Sequence, residues 1–136
     1  MTGIYSHIRT GAARAYRRAR RARAKSCITR VITVTDRAML PVELHPRRLY
    51  VVGARRPKWA LLDCPCGRGH TIELNLTNPT RSRWEVTTGK DGRPSIHPSI
   101  DFQGQPRCHY WLKDGRIHWV ANTTPPLNNF DGTRTA

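Results

Sequence analysis

Trp59-Ala60-Leu61-Leu62-Asp63-Cys64-Pro65-Cys66-Gly67-Arg68-Gly69-His70-Thr71-Ile72-Glu73-Leu74-Asn75-Leu76 is the stretch that decides the fold of this chain. An apolar run leads directly into Cys64, and strict alternation after His70 places Ile72, Leu74 and Leu76 on one buried face. Two strands therefore flank a tight turn. Within that turn Gly67 lets the backbone fold over so that amide N–H groups point at sulfur, while Arg68 and Gly69 prolong it. The pattern is that of a metal-binding turn.

Cys108-His109 supplies a second cluster further along. His70 lies four residues after Cys66 and can swing back toward the same ion, so Cys64, Cys66 and His70 form a half-site that Cys108 completes. Zn2+ is the expected ion. Adjacent strand residues point to opposite faces, so Cys108 and His109 do not both reach one metal without a kink. If Cys108 is the ligand, His109 is free as a base; if His109 is the ligand, His70 becomes the spare. Cys27 has no cysteine or histidine near it and reads as a buried or idle thiol.

Working outward, Ile28 to Val34 is rich in β-branched residues and reads as the first strand of the folded part. Pro41 and Pro46 make Met39 to Arg48 irregular, and Leu49 to Val52 resumes as a strand. Arg83 to Thr87 alternates again, Gly89 to Gly92 turns the chain, and Ser95 to Ile100 is extended up to a loop marked by Gly104 and Pro106. Asp114-Gly115 between Tyr110–Lys113 and Arg116–Val120 supplies the positive φ angles of a primed hairpin turn. The resulting expectation is one mostly-β, zinc-stapled antiparallel domain of about seven short strands over residues 28–121. Its four tryptophans fall mainly in these strands, where core packing is the default.

The chain has 136 residues, 38% of them hydrophobic, which is room for one small domain; no apolar run approaches the roughly 18 residues that span a membrane. Its start lacks the apolar core of a secretory signal, so a cytoplasmic protein is expected, in which the cysteines are ligands or thiols rather than disulfide partners. The net charge of +15 is concentrated: Arg9 to Lys25 contributes eight positives and no acid. Gly11 to Lys25 alternates alanine with arginine and has helical propensity without an apolar stripe, so residues 1–27 read as a basic extension. That extension is either a merely solvated arm or one that grips nucleic acid through phosphate contacts. Residues 122–136 read as a flexible tail.

Ser99, within His97-Pro98-Ser99-Ile100-Asp101, is the candidate nucleophile. Serine needs a base, and His109 or His97 serves only where the fold brings one within about 3 Å. Otherwise Ser99 is a turn residue.

Ile28-Thr29-Arg30-Val31, Pro41-Val42-Glu43-Leu44, Leu49-Tyr50-Val51, Cys64-Pro65-Cys66-Gly67, Ile72 to Leu76, Trp84, His97-Pro98-Ser99-Ile100, Cys108-His109-Tyr110-Trp111 and Gly115 to Trp119 together resemble a family of small bacterial zinc-binding proteins designated only as a domain of unknown function. Its genes often lie beside bacterial ubiquitin-like conjugation genes, and it is linked to peptidase activity on ubiquitin-like proteins. The resemblance implies Cys64, Cys66 and Cys108 as metal thiolates and Ser99 with His109 as the catalytic positions. A third cysteine is common in that family where this chain has Arg68, which makes His70 the substitute ligand.

The expected function is hydrolytic processing or removal of a ubiquitin-like modifier, with Ser99 as nucleophile and His109 as base. A second enzymatic version uses a three-coordinate metal and its bound water. The alternatives from other classes are a zinc-ribbon-like module that binds nucleic acid through Arg9 to Lys25, and a non-catalytic zinc-stapled adaptor.

Overall fold

A computed structural model of the chain describes residues 27–79, 83–121, 123 and 124. The basic extension therefore lies outside the described residues except for Cys27, as does the tail except for Thr123 and Thr124.

Among the described residues, eight strands form two four-stranded sheets. The first carries β1 (Arg30–Val34), β2 (Arg48–Val52), β3 (Trp59–Asp63) and β4 (Thr71–Asn75) in that order; the second carries β5 (Glu85–Thr88), β6 (Pro94–Gln103), β7 (Arg107–Lys113) and β8 (Arg116–Trp119). All neighbours are antiparallel except β1 and β2, which run parallel from Arg30 opposite Arg48 to Val34 opposite Val52. The antiparallel expectation needs that one correction. Its cause is the connection over 35–47, which carries a short 3-10 helix (Arg37–Met39) and is long enough to return the chain to its starting edge; a hairpin turn is not.

The apolar runs have a direct reading in the packing. From β2 and β3, Leu49, Ala60 and Leu62 enter a core shared with Ile72, Leu74, Ile96, Ile100, Tyr110 and Leu112, so both sheets contribute to it. On the opposite face of the first sheet, Tyr50, Val52 and Leu61 pack with Leu40, Leu44 and Trp59. A strand buried on both faces has no polar alternation to show. In contrast, β4 faces solvent on one side, where Glu73 pairs with Arg37 at 2.9 Å, and it alternates as expected.

The two sheets are also tied where the chain enters β1. The Ile28 N–H donates to the Gly115 carbonyl, and Cys27 bridges Arg116, so the strand leading into β1 first pairs with β8. Asp114 and Gly115 hold φ angles of 48° and 78° in the predicted primed turn. Among the described residues no helix is long and apolar enough to cross a membrane.

Candidate functional site

The β3–β4 turn closes through the Cys64 N–H to the His70 carbonyl at 2.9 Å. Gly67 and Gly69 take φ near +81° and +82°, conformations that a side chain disfavours. This winding turns the Arg68 amide toward Cys66 Sγ at 3.4 Å and swings the His70 ring back over the turn. His70 Nε2 lies 3.1 Å from Cys66 Sγ and 3.5 Å from Cys108 Sγ, the latter delivered by β7 of the other sheet. The ligand atoms of Cys64, Cys66, His70 and Cys108 all fall within 4.8 Å of one another. A tetrahedral ion with Zn–S near 2.3 Å and Zn–N near 2.0 Å spaces its donors by roughly 3.5–3.8 Å, so these four residues fit one ion.

The thiols are arranged so that a cation among them would be favoured. Hydrogen bonding from Cys64, working against burial, brings the Cys66 thiol down to about 5. The same pairing, with burial, pushes Cys64 far up, while burial and the Cys66 charge raise Cys108 to about 11. One thiolate is easy here and three are not, unless a divalent ion offsets their charge. Tyr110, fully buried with its hydroxyl 4.0 Å from Cys64 Sγ, is likewise held well above its usual range by burial and the neighbouring sulfur. His70 Nδ1 is buried without a hydrogen-bond partner among the described residues, and the ring lies 4.8 Å from that of Phe102.

Because β7 alternates, His109 faces away from this cluster. Its Nε2 lies 3.0 Å from the Ser99 hydroxyl on β6. Both residues are half-buried, leaving the pair within reach of solvent. Beyond Ser99, Asp101 sits directly opposite His109 in the β6–β7 register. Its carboxylate accepts hydrogen bonds from Arg107 at 3.2 and 3.4 Å, and it is held below the usual carboxylate range chiefly by them, with the His109 charge adding to the effect. The Ser99 carbonyl accepts a hydrogen bond from the Trp84 indole at 3.2 Å. His97, the other base weighed from the sequence, lies instead against Trp111, ring centroids 6.1 Å apart.

Residues 36–120 match the model of the bacterial ubiquitination-like system serine protease family (BubE). The chain belongs to the BubE family. No curated protein and no solved structure matches it.

The BubE match takes in Ser99, His109 and all four clustered ligand candidates, and leaves β1 and the basic extension outside. Sequence reasoning missed two residues beside the Ser99–His109 pair. Asp101 was legible in principle, because residues two apart on a strand share a face and Ser99 is on that face. Trp84 was not, since its indole reaches Ser99 across the start of β5.

Proposed function

We propose that this BubE-family chain is a serine peptidase that processes or removes a ubiquitin-like modifier, with Ser99 as nucleophile, His109 as general base and Asp101 as the residue that orients His109. The 3.0 Å contact between Ser99 Oγ and His109 Nε2 carries this reading. A serine hydroxyl is a weak nucleophile until a base takes its proton, and hydrogen-bond contact is the geometry that the transfer needs. Attack by Oγ on the scissile carbonyl passes the proton to His109, which returns it to the leaving amine; water then cleaves the acyl-enzyme by the reverse sequence. The family description supplies the reaction class and the ubiquitin-like setting.

The metal in this reading is Zn2+, held by Cys64, Cys66, His70 and Cys108, and its role is structural. Four protein donors leave no open position for a water, which is the arrangement of closed zinc sites. Bound there, the ion would tie the β3–β4 turn to β7, the strand that carries His109. Ser99→Ala tests the assignment on a fusion of a bacterial ubiquitin-like protein to a reporter: cleavage is expected to stop while metal content holds at one ion per chain. Cleavage that survives in Ser99→Ala but ends on metal removal transfers the chemistry to the ion.

A further inference from the structure

β6 is ten residues long, but β5 accompanies only its first part, from Thr88 opposite Pro94 to Glu85 opposite His97. Beyond Ser99, the side of β6 away from β7 has no strand beside it among the described residues. The groups that face that side can be read from β7. The His109 N–H donates to Thr123 Oγ1, and its carbonyl accepts from the Val120 N–H. Likewise the Arg107 N–H donates to Thr124 Oγ1, and its carbonyl accepts from the Thr124 N–H. Both residues thus spend their backbone groups on the side opposite β6.

In an antiparallel pair, two residues directly opposite either exchange both backbone bonds or both point away. Asp101 is opposite His109, and Gln103 is opposite Arg107. It follows that the amides and carbonyls of Asp101 and Gln103 point away from β7, onto the open edge. Ser99 continues the alternation, its carbonyl taken on that side by the Trp84 indole just ahead of β5. No backbone bond reaches Asp101 or Gln103 from another described residue outside the β6–β7 ladder.

We propose that this edge is the substrate-chain site: an extended peptide adds to β6 as a strand, in line with β5, and the backbone groups of Asp101 and Gln103 hold its scissile carbonyl at Ser99. The proposal rests on the serine-peptidase reading above. The occupant is the substrate rather than a second copy of the chain because the row of free groups ends at the Ser99–His109 pair. A modifier's folded body, moreover, reaches a half-buried serine only through an extended segment. Such strand addition draws affinity from main-chain bonds and tolerates varied side chains.

Two probes separate this claim from the nucleophile itself. An alkyl fluorophosphonate, which needs no strand, forms an Oγ–P bond at Ser99 and expels fluoride while the base takes the proton. An acyl-tetra-alanyl diphenyl phosphonate forms the same bond with loss of phenol and also presents a peptide backbone. N-methylation of alternate amides of the second probe is expected to slow its reaction with the full-length, metal-loaded protein roughly fivefold or more in one phase and little in the other, since each lost backbone bond is worth on the order of 1 kcal/mol. In Gln103→Pro, which lacks one outward N–H and also the side-chain bond to Asp101 but none of the β7 ladder, the peptide probe is expected to slow more than the alkyl probe, whose rate reports any change at the Ser99–His109 pair itself. Equal rates for the two methylation phases, or an unslowed peptide probe with Gln103→Pro, overturn the edge site while leaving Ser99 as nucleophile. Failure of the alkyl probe to label Ser99 overturns the nucleophile assignment and the edge site with it.

Discussion

Ser99 on β6 and His109 on β7 meet at 3.0 Å across one sheet, and each neighbours a residue that faces the protein interior, Ile100 and Cys108 respectively. One strand pair thus presents two faces: its inner face closes the core and the candidate metal cluster, and its outer face carries the proposed nucleophile and base. Residues that act as a unit lose most of their effect when any one is removed. Ser99→Ala and His109→Ala are each expected to lower kcat by about 10⁴-fold or more, and the double variant is expected to lose little beyond either single one. Additive losses in steady-state kinetics would separate the two residues functionally.

Trp84 holds the Ser99 carbonyl by its indole N–H and lines a cavity of about 350 Å3 together with Val31, Val51 and Leu76. Trp84→Phe keeps most of the apolar body and removes the donor. We expect a stability loss of about 1 kcal/mol, the net worth of one hydrogen bond, and a fall in kcat that exceeds any rise in KM, because the serine backbone loses its anchor. Chemical denaturation alongside kinetics checks both parts.

Asp101 gives a pH dependence with a definite sign. Its carboxyl is held below the ordinary range, first by the Arg107 hydrogen bonds, so its contribution to stability is present above the unfolded carboxylate value, about 3.9, and is lost as pH falls through the lowered folded value. Arg107→Gln removes the main cause. The variant is expected to unfold at a higher pH than the wild type in an acid titration followed by circular dichroism. Because the Arg107–Asp101 pair is partly exposed, the loss at neutral pH should stay below about 1 kcal/mol.

Much of this architecture is legible in the residues because the signals are local. The Asp114-Gly115 turn, the alternation after His70 and the opposed faces of Cys108 and His109 follow from spacing alone, and the structure has each of them. Strand direction is different. Nothing in Ile28 to Val34 reveals that it joins β2 in parallel, since alternation reports a face and not a partner. The Asp101–His109 juxtaposition depends on the β6–β7 register, which shifts between Ile96 and Ile100, and such an irregularity has no composition to announce it. Thr123 and Thr124 read as tail, yet they bond to the backbones of Arg107 and His109 because β7 leaves those groups open beyond the end of β8.

Gly115 serves the turn and the junction between sheets together. At φ +78° a side chain is strained, and a Cβ there would run into the Ile28 carbonyl oxygen, the residue whose N–H bonds to Gly115. Gly115→Ala is expected to cost about 1–3 kcal/mol, more than an exposed turn substitution normally does. Thermal unfolding of the two proteins, each loaded with metal, measures it. A shift no larger than that of an ordinary surface variant would mean that the junction yields.

The candidate metal cluster adds a further tie between the two sheets, beside their shared core and the Ile28–Gly115 junction. Cys64, Cys66 and His70 belong to the first sheet and Cys108 to the second, so removing the ion leaves mutually repelling or protonated thiols at the centre of the shared core. Small domains have stabilities of only about 5–15 kcal/mol, and structural zinc contributes energy on that scale. Chelation is therefore expected to unfold the protein rather than merely slow it. Elemental analysis should find one zinc per chain in the wild type and in His109→Ala, and none in Cys66→Ser, His70→Ala or Cys108→Ser. Retention of zinc in His70→Ala with loss in His109→Ala would reverse the roles of the two histidines and remove the base from Ser99.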